Sequence, residues 1–182
     1  MREAVGKGLV RTVRRVGLVL VTMVVALAVG SGVALATVKF GTDGQDFLMG
    51  TKDDDVIYGE GGIDFIDGRG GDDVLYGGNG DDEVVSFPGD DVLHGEDGDD
   101  QVMEGKGNNK LYGGSGNDFF QATAIDPDTS GSEDTTPKKR DLVFCGSGRD
   151  TVVVDPGRVD FVTKDCERVY VRTGQGDILI RR

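Results

Sequence analysis

From Gly41 to Gln121 the polar and apolar positions recur on a fixed period of nine. Aligned on their first positions, nine successive units read GTDGQDFLM, GTKDDDVIY, GEGGIDFID, GRGGDDVLY, GGNGDDEVV, SFPGDDVLH, GEDGDDQVM, EGKGNNKLY and GGSGNDFFQ. The eighth position is apolar throughout: Leu48, Ile57, Ile66, Leu75, Val84, Leu93, Val102, Leu111 and Phe120. The fourth is Gly in every unit but the second, where Asp53 sits. Six Gly-rich polar residues predict a turn, because Gly reaches positive φ without steric cost. Three residues alternating about one apolar side chain predict a short strand buried on one face. Repeated at this period, turn and strand predict an all-β chain that coils and stacks on itself.

The flanks divide the rest. Residues 37–40 form a lead-in whose Val38 and Phe40 are expected to cover the open end of the stack. Residues 122–140 predict an exposed acidic and polar loop, with two prolines and a closing basic cluster of Lys138, Lys139 and Arg140. The pattern then resumes: Gly148, Asp150 and Val152 fall in the fourth, sixth and eighth columns, and Asp141 and Val143 end a partial unit. The β-branched alternation and apolar Ile178–Ile180 run of the tail complete residues 141–182 as a degenerate repeat and a C-terminal β cap.

Residues 1–36 differ in kind. Arg2, Lys7, Arg11, Arg14 and Arg15 precede an apolar run from Val16 to Val29 and the tripeptide Ala34-Leu35-Ala36. That layout predicts a secretory signal peptide cleaved after Ala36, and hence an extracellular protein. Val16 to Ala36 is also long enough to span a bilayer, so a retained anchor is the rival expectation. Without this segment the chain carries 15 basic and 32 acidic residues. Nucleic acid and anionic membrane surfaces are poor partners for such charge, and cations are natural ones. An exported chain with two cysteines, Cys145 and Cys166, predicts a disulfide.

The sixth column carries the chemistry. It is acidic in eight units, at Asp46, Asp55, Asp64, Asp73, Asp82, Asp91, Asp100 and Asp118, and Asn in the eighth unit. If two units complete one coil, these carboxylates stack along two edges, one odd-numbered and one even-numbered. Carboxylates one strand spacing apart, about 4.8 Å, repel by roughly 3.5 kcal/mol at an effective dielectric near 20. Acids in the fifth column (Asp54, Asp72, Asp81, Asp90, Asp99) add to this. A cation relieves the repulsion, and hard oxygen donors without nearby His or Cys suit Ca²⁺ better than Mg²⁺. Glycines let turn carbonyls face a shared ion.

The units resemble the RTX nonapeptide (GGxGxDxUx) of hemolysin-type calcium-binding proteins, and residues 77–85, GGNGDDEVV, match it at every fixed position. The resemblance implies a right-handed parallel β-roll with calcium between successive turns. The sixth-column Asp side chains and turn carbonyls, those of Gly62, Gly71, Gly80, Gly89 and Gly98, would hold it. The segment around Cys145 and Asp165-Cys166-Glu167 resembles the end of small secreted actinobacterial members. Departures at Lys52 and Asp53, at Ser86 and Pro88, and at Glu104 and Asn109 all fall in even units, making the even edge the poorer one.

Other chemistries find little foothold. No EF-hand loop is present. The single histidine, His94, occupies an outward ninth column, where a solvent-exposed ring is expected. One His builds no His-rich zinc site, and neither Ser115 nor Ser147 sits in G-x-S-x-G. The expected function is a secreted, non-enzymatic protein that folds on binding Ca²⁺. A cell-surface adhesin or matrix scaffold made rigid by calcium is the alternative.

Overall fold

The computed structural model describes residues 21–24, 36–122, 141–154, 161–173 and 176–181. Every regular element among them is a strand. Odd units end in β3 (Phe47–Met49), β5 (Phe65–Asp67), β7 (Glu83–Val85), β9 (Gln101–Met103) and β11 (Phe119–Ala122). Even units end in β4 (Val56–Tyr58), β6 (Val74–Asn79), β8 (Val92–Asp97) and β10 (Lys110–Ser115). Odd strands pair only with odd and even only with even, always parallel, so the chain alternates between two facing sheets. Partners lie 18 residues apart, as in Phe47 with Phe65 and Leu75 with Leu93, so two units make one coil of a parallel β-roll.

Between the sheets the eighth column forms a single row. All nine of its side chains are buried, none more than 1% exposed. Burying each contributes roughly 1.5–3 kcal/mol, which is what holds three-residue strands in register. The ninth column of the even sheet faces outward and stacks its rings instead. Phe40, Tyr58, Tyr76, His94, Tyr112 and Phe144 lie in one column with centroids 4.6–5.0 Å apart. His94 is therefore not the solvent-exposed ring expected. It is half-buried between Tyr76 and Tyr112, and burial lowers its pKa.

The lead-in is itself a rung. β2 (Thr37–Phe40) pairs in parallel with β4, and its Lys39 takes the inward register position opposite Ile57. Lys39, rather than Val38 or Phe40, meets the open end, and its ammonium donates to the Met49 carbonyl. β1 (Val21–Val24) adds antiparallel to β2. The predicted leader otherwise lies outside the described residues, apart from Ala36. No helix among the described residues is long and apolar enough to cross a membrane.

At the other end Ala122 belongs to β11 and to the core, not to the predicted loop, whose remainder lies outside the described residues. β12 (Leu142–Ser147) pairs with β10, and β13 (Thr151–Val154) with β11, both at an offset of 32 residues. The intervening sequence is thus an excursion between consecutive coils, and Val143 and Val152 extend the buried row. β14 (Phe161–Val162) continues the even sheet. β15 (Arg168–Thr173) continues the odd one and turns back into β16 (Gly176–Arg181) as an antiparallel hairpin. Val169 is buried, whereas Ile178 and Ile180 are exposed. A disulfide joins Cys145 to Cys166, with Cα atoms 5.2 Å apart and both residues buried.

Candidate metal centre

The turns of odd units lie along one edge of the roll and those of even units along the other. Along the odd edge the backbone N–H of each sixth-column residue donates to Oδ1 of its counterpart one coil on. Asp46 donates to Asp64, Asp64 to Asp82, Asp82 to Asp100, Asp100 to Asp118 and Asp118 to Asp150, at 2.8–3.0 Å. The even edge repeats this from Thr37 through Asp55, Asp73, Asp91 and Asn109 to Asp141, at 2.8–2.9 Å. The predicted stacking is present, but it is not bare repulsion. Each carboxylate first satisfies a backbone donor that the tight turn would otherwise strand.

The second oxygen has no such partner. Oδ2 of Asp64, Asp73, Asp82, Asp91, Asp100, Asp118, Asp141 and Asp150 is buried with no hydrogen bond among the described residues. An unmet buried carboxylate oxygen is costly, and its protonation equilibrium shows the strain. Burial is the largest cause, with neighbouring carboxylates adding, and Asp73 is pushed up to about 8 and Asp100 to about 7. Asp82, Asp91 and Asp118 are pushed up to about 6, and Asp64 and Asp150 are raised.

The first and fourth columns leave room around these oxygens. A Cβ on Gly77 would lie 2.6 Å from Asp82 Oδ2 and 2.6 Å from the Gly95 carbonyl oxygen of the next coil. The absent side chain is a small space faced by a carboxylate and a carbonyl. The fourth-column carbonyls of Gly62, Gly71, Gly80, Gly89 and Gly98 stack similarly, each against a glycine one coil on. No donor among the described residues reaches those five oxygens. Gly62, Gly71, Gly80 and Gly98 have positive φ, but Gly89, after Pro88, does not. Gly89 is held to Gly by its approach to the Gly71 carbonyl.

Not every predicted ligand is equally placed. Asp55 uses Oδ1 for Thr37 N–H and Oδ2 for Thr51 N–H, while Asp46 Oδ2 accepts Thr42 N–H and Oγ1–H. Thr in the second column therefore closes the first two turns from within. On the even edge Ser86 and Glu104 stand where other units have Gly. The buried Glu104 carboxylate accepts from Asn109 Nδ2, so protein atoms occupy that turn. Conversely, Asp141 and Asp150 were not among the predicted ligands, although their unmet Oδ2 atoms match those of the repeats. Their column register was the signal, and the inserted residues before Asp141 obscured it.

The fifth column behaves differently. Asp72 N–H donates to Asp54 Oδ1, Asp90 to Asp72 and Asp99 to Asp81, each pointing one coil back. These carboxylates are exposed, and backbone and side-chain N–H groups of Asn117 hold Asp99 below the usual carboxylate range.

Buried, unmet carboxylate oxygens beside free carbonyls, with no nitrogen or sulfur donor, fit a hard divalent cation. A sequence model of the RTX calcium-binding nonapeptide repeat matches four stretches, at residues 40–75, 58–86, 76–103 and 105–123, a little under half of the chain. No curated protein and no solved structure matches the chain.

Proposed function

We propose, for a chain that belongs through residues 40–123 to the RTX calcium-binding nonapeptide-repeat family, a secreted protein that folds when it meets extracellular Ca²⁺. That the repeats are of a calcium-binding kind and form a β-roll is the premise; export and coupled folding are the proposal. The observation that carries it is the row of unmet Oδ2 atoms. Asp64, Asp82, Asp100 and Asp118 would hold ions on the odd edge with the carbonyls of Gly62, Gly80 and Gly98. Asp73 and Asp91 would do so on the even edge with Gly71 and Gly89. A bound divalent ion supplies positive charge to oxygens that the protein leaves unmatched.

Binding of this kind is folding energy. Each site filled at ten times its dissociation constant stabilises the roll by roughly 1.4 kcal/mol, so four or five sites contribute on the order of the whole stability of a small domain. Cytosolic calcium is too scarce to fill them, which would keep the chain unfolded until export. The reading assigns no catalysis: the one imidazole is wedged in a ring stack and the carboxylates form a periodic ladder. The tail hairpin would close the C-terminal end of the roll. Circular dichroism of the chain titrated with CaCl₂ should show a β signal that grows with calcium and disappears with chelator. A signal indifferent to both would refute coupled folding.

A further inference from the structure

The carboxylate ladder of the odd edge does not stop where the repeats do. β13 pairs with β15 at an offset of 17 residues, Thr151 opposite Arg168, which places Glu167 in register with Asp150. Asp150 N–H donates to Glu167 Oε2 at 2.8 Å, the same bond that Asp makes to Asp in every earlier coil. One extra methylene lets Glu reach from a coil one residue shorter than the others. Two residues earlier, Asp165 Oδ2 accepts Gly146 N–H at 2.9 Å. Cys166, between the two acids, is bonded to Cys145 at the head of the preceding turn. The disulfide pins the turn around 163–167 against the turn around 145–150.

Between these turns lies Asp150 Oδ2, 0% exposed as a residue and with no hydrogen bond among the described residues. Glu167 and Asp165 are the charges that act on it, both repelling. Arg149 and Arg168 share a hollow with Glu167, yet no ion pair among the described residues joins either to it. Glu167 and Asp165 are exposed, leaving solvent a way in.

We propose that Asp150, Asp165 and Glu167 form a further divalent-cation site, outside the nonapeptide repeats and assembled by the Cys145–Cys166 bond. It rests on the reading of the roll as a calcium binder, and hard carboxylate donors give it the same preference for Ca²⁺. The roll would thus carry one ion at the junction between its repeats and its tail, tying the tail turn to the last repeat turn.

The test is the calcium stoichiometry of the purified full chain by isothermal titration with CaCl₂. Glu167→Gln and Asp150→Asn each keep an oxygen for the ladder, as Asn109 does for Asp91. Each should bind one equivalent fewer, or weaken one site at least tenfold, with an unchanged β signal at saturating calcium. Asp165→Asn, altering an exposed side chain outside the strands, should weaken the same equivalent and serves if either buried variant fails to fold. Wild-type stoichiometry and affinity in the folded variants would overturn this site while leaving the repeat sites standing. A wild-type chain that takes up no calcium would instead overturn the parent reading.

Discussion

A sixth-column Asp has two oxygens with two employments, and the difference decides what a substitution does. Oδ1 accepts a neighbouring coil's N–H, and Asn109 shows that an amide can do this in place of a carboxylate. Oδ2 of Asp82 is unmet, whereas Oδ2 of Asp55 is already bonded to Thr51 N–H. Asp82→Asn should therefore keep the ladder and lose the metal, weakening calcium affinity at least tenfold, about 1.4 kcal/mol or more. Asp55→Asn should weaken it less than about twofold. Isothermal titration of both variants decides, and equal losses would mean that Thr51 does not close its turn. The glycines are specific in the same sense. Gly98 has φ +146° and a Cβ there would strike the Gly80 carbonyl. Gly98→Ala should cost about 1–3 kcal/mol from backbone strain alone, read as a lowered midpoint in thermal unfolding with saturating calcium.

At the scale of elements, the strands are too short to be stable singly. Three residues each, they depend on one inward side chain and on the coil on either side. Such a stack frays from its ends, and the two ends are secured by different devices. Lys39 holds the first through the Met49 carbonyl, and the disulfide holds the last. The bond spans a sequence separation of 21. Replacing both cysteines by serine should cost roughly 3 kcal/mol in the chain-entropy model, measured by guanidinium unfolding at fixed calcium. A much smaller loss would show that β15 and the last coil hold without it. The tail was less legible than the repeats for a physical reason. Its offsets of 19 and 17 residues break the period of 18, so Glu167 cannot be aligned with Asp150 by counting.

For the whole molecule the buried carboxylates set the response to pH. In the roll without metal, burial pushes Asp73 up to about 8 and Asp82, Asp91, Asp100 and Asp118 to about 6–7, against 3.8 when unfolded. Protons therefore bind the folded state more tightly. Their stabilisation is fully present below about pH 4 and is lost as pH rises through 6 to 8. Calcium competes for the same oxygens and needs them ionised. In chelator the β signal should weaken from acid to pH 8, and in millimolar calcium it should strengthen over the same range. Circular dichroism across pH with and without metal checks both limbs, and parallel curves would contradict the shared site.

What the residues alone determined is the period, the strands, the inward row and the sixth-column acids, because each is a local pattern that any nine-residue window repeats. The coil of two units followed from the same pattern, since facing strands must bury the same column. Only the tertiary structure decided which oxygen of each carboxylate is satisfied and which is left for a cation. That depends on backbone N–H groups 18 residues away and on whether a threonine, a glutamate or nothing fills the turn. It likewise decided that His94 joins a ring stack and that a glutamate beyond the repeats completes the ladder. These are facts about neighbouring coils, and no single repeat contains them.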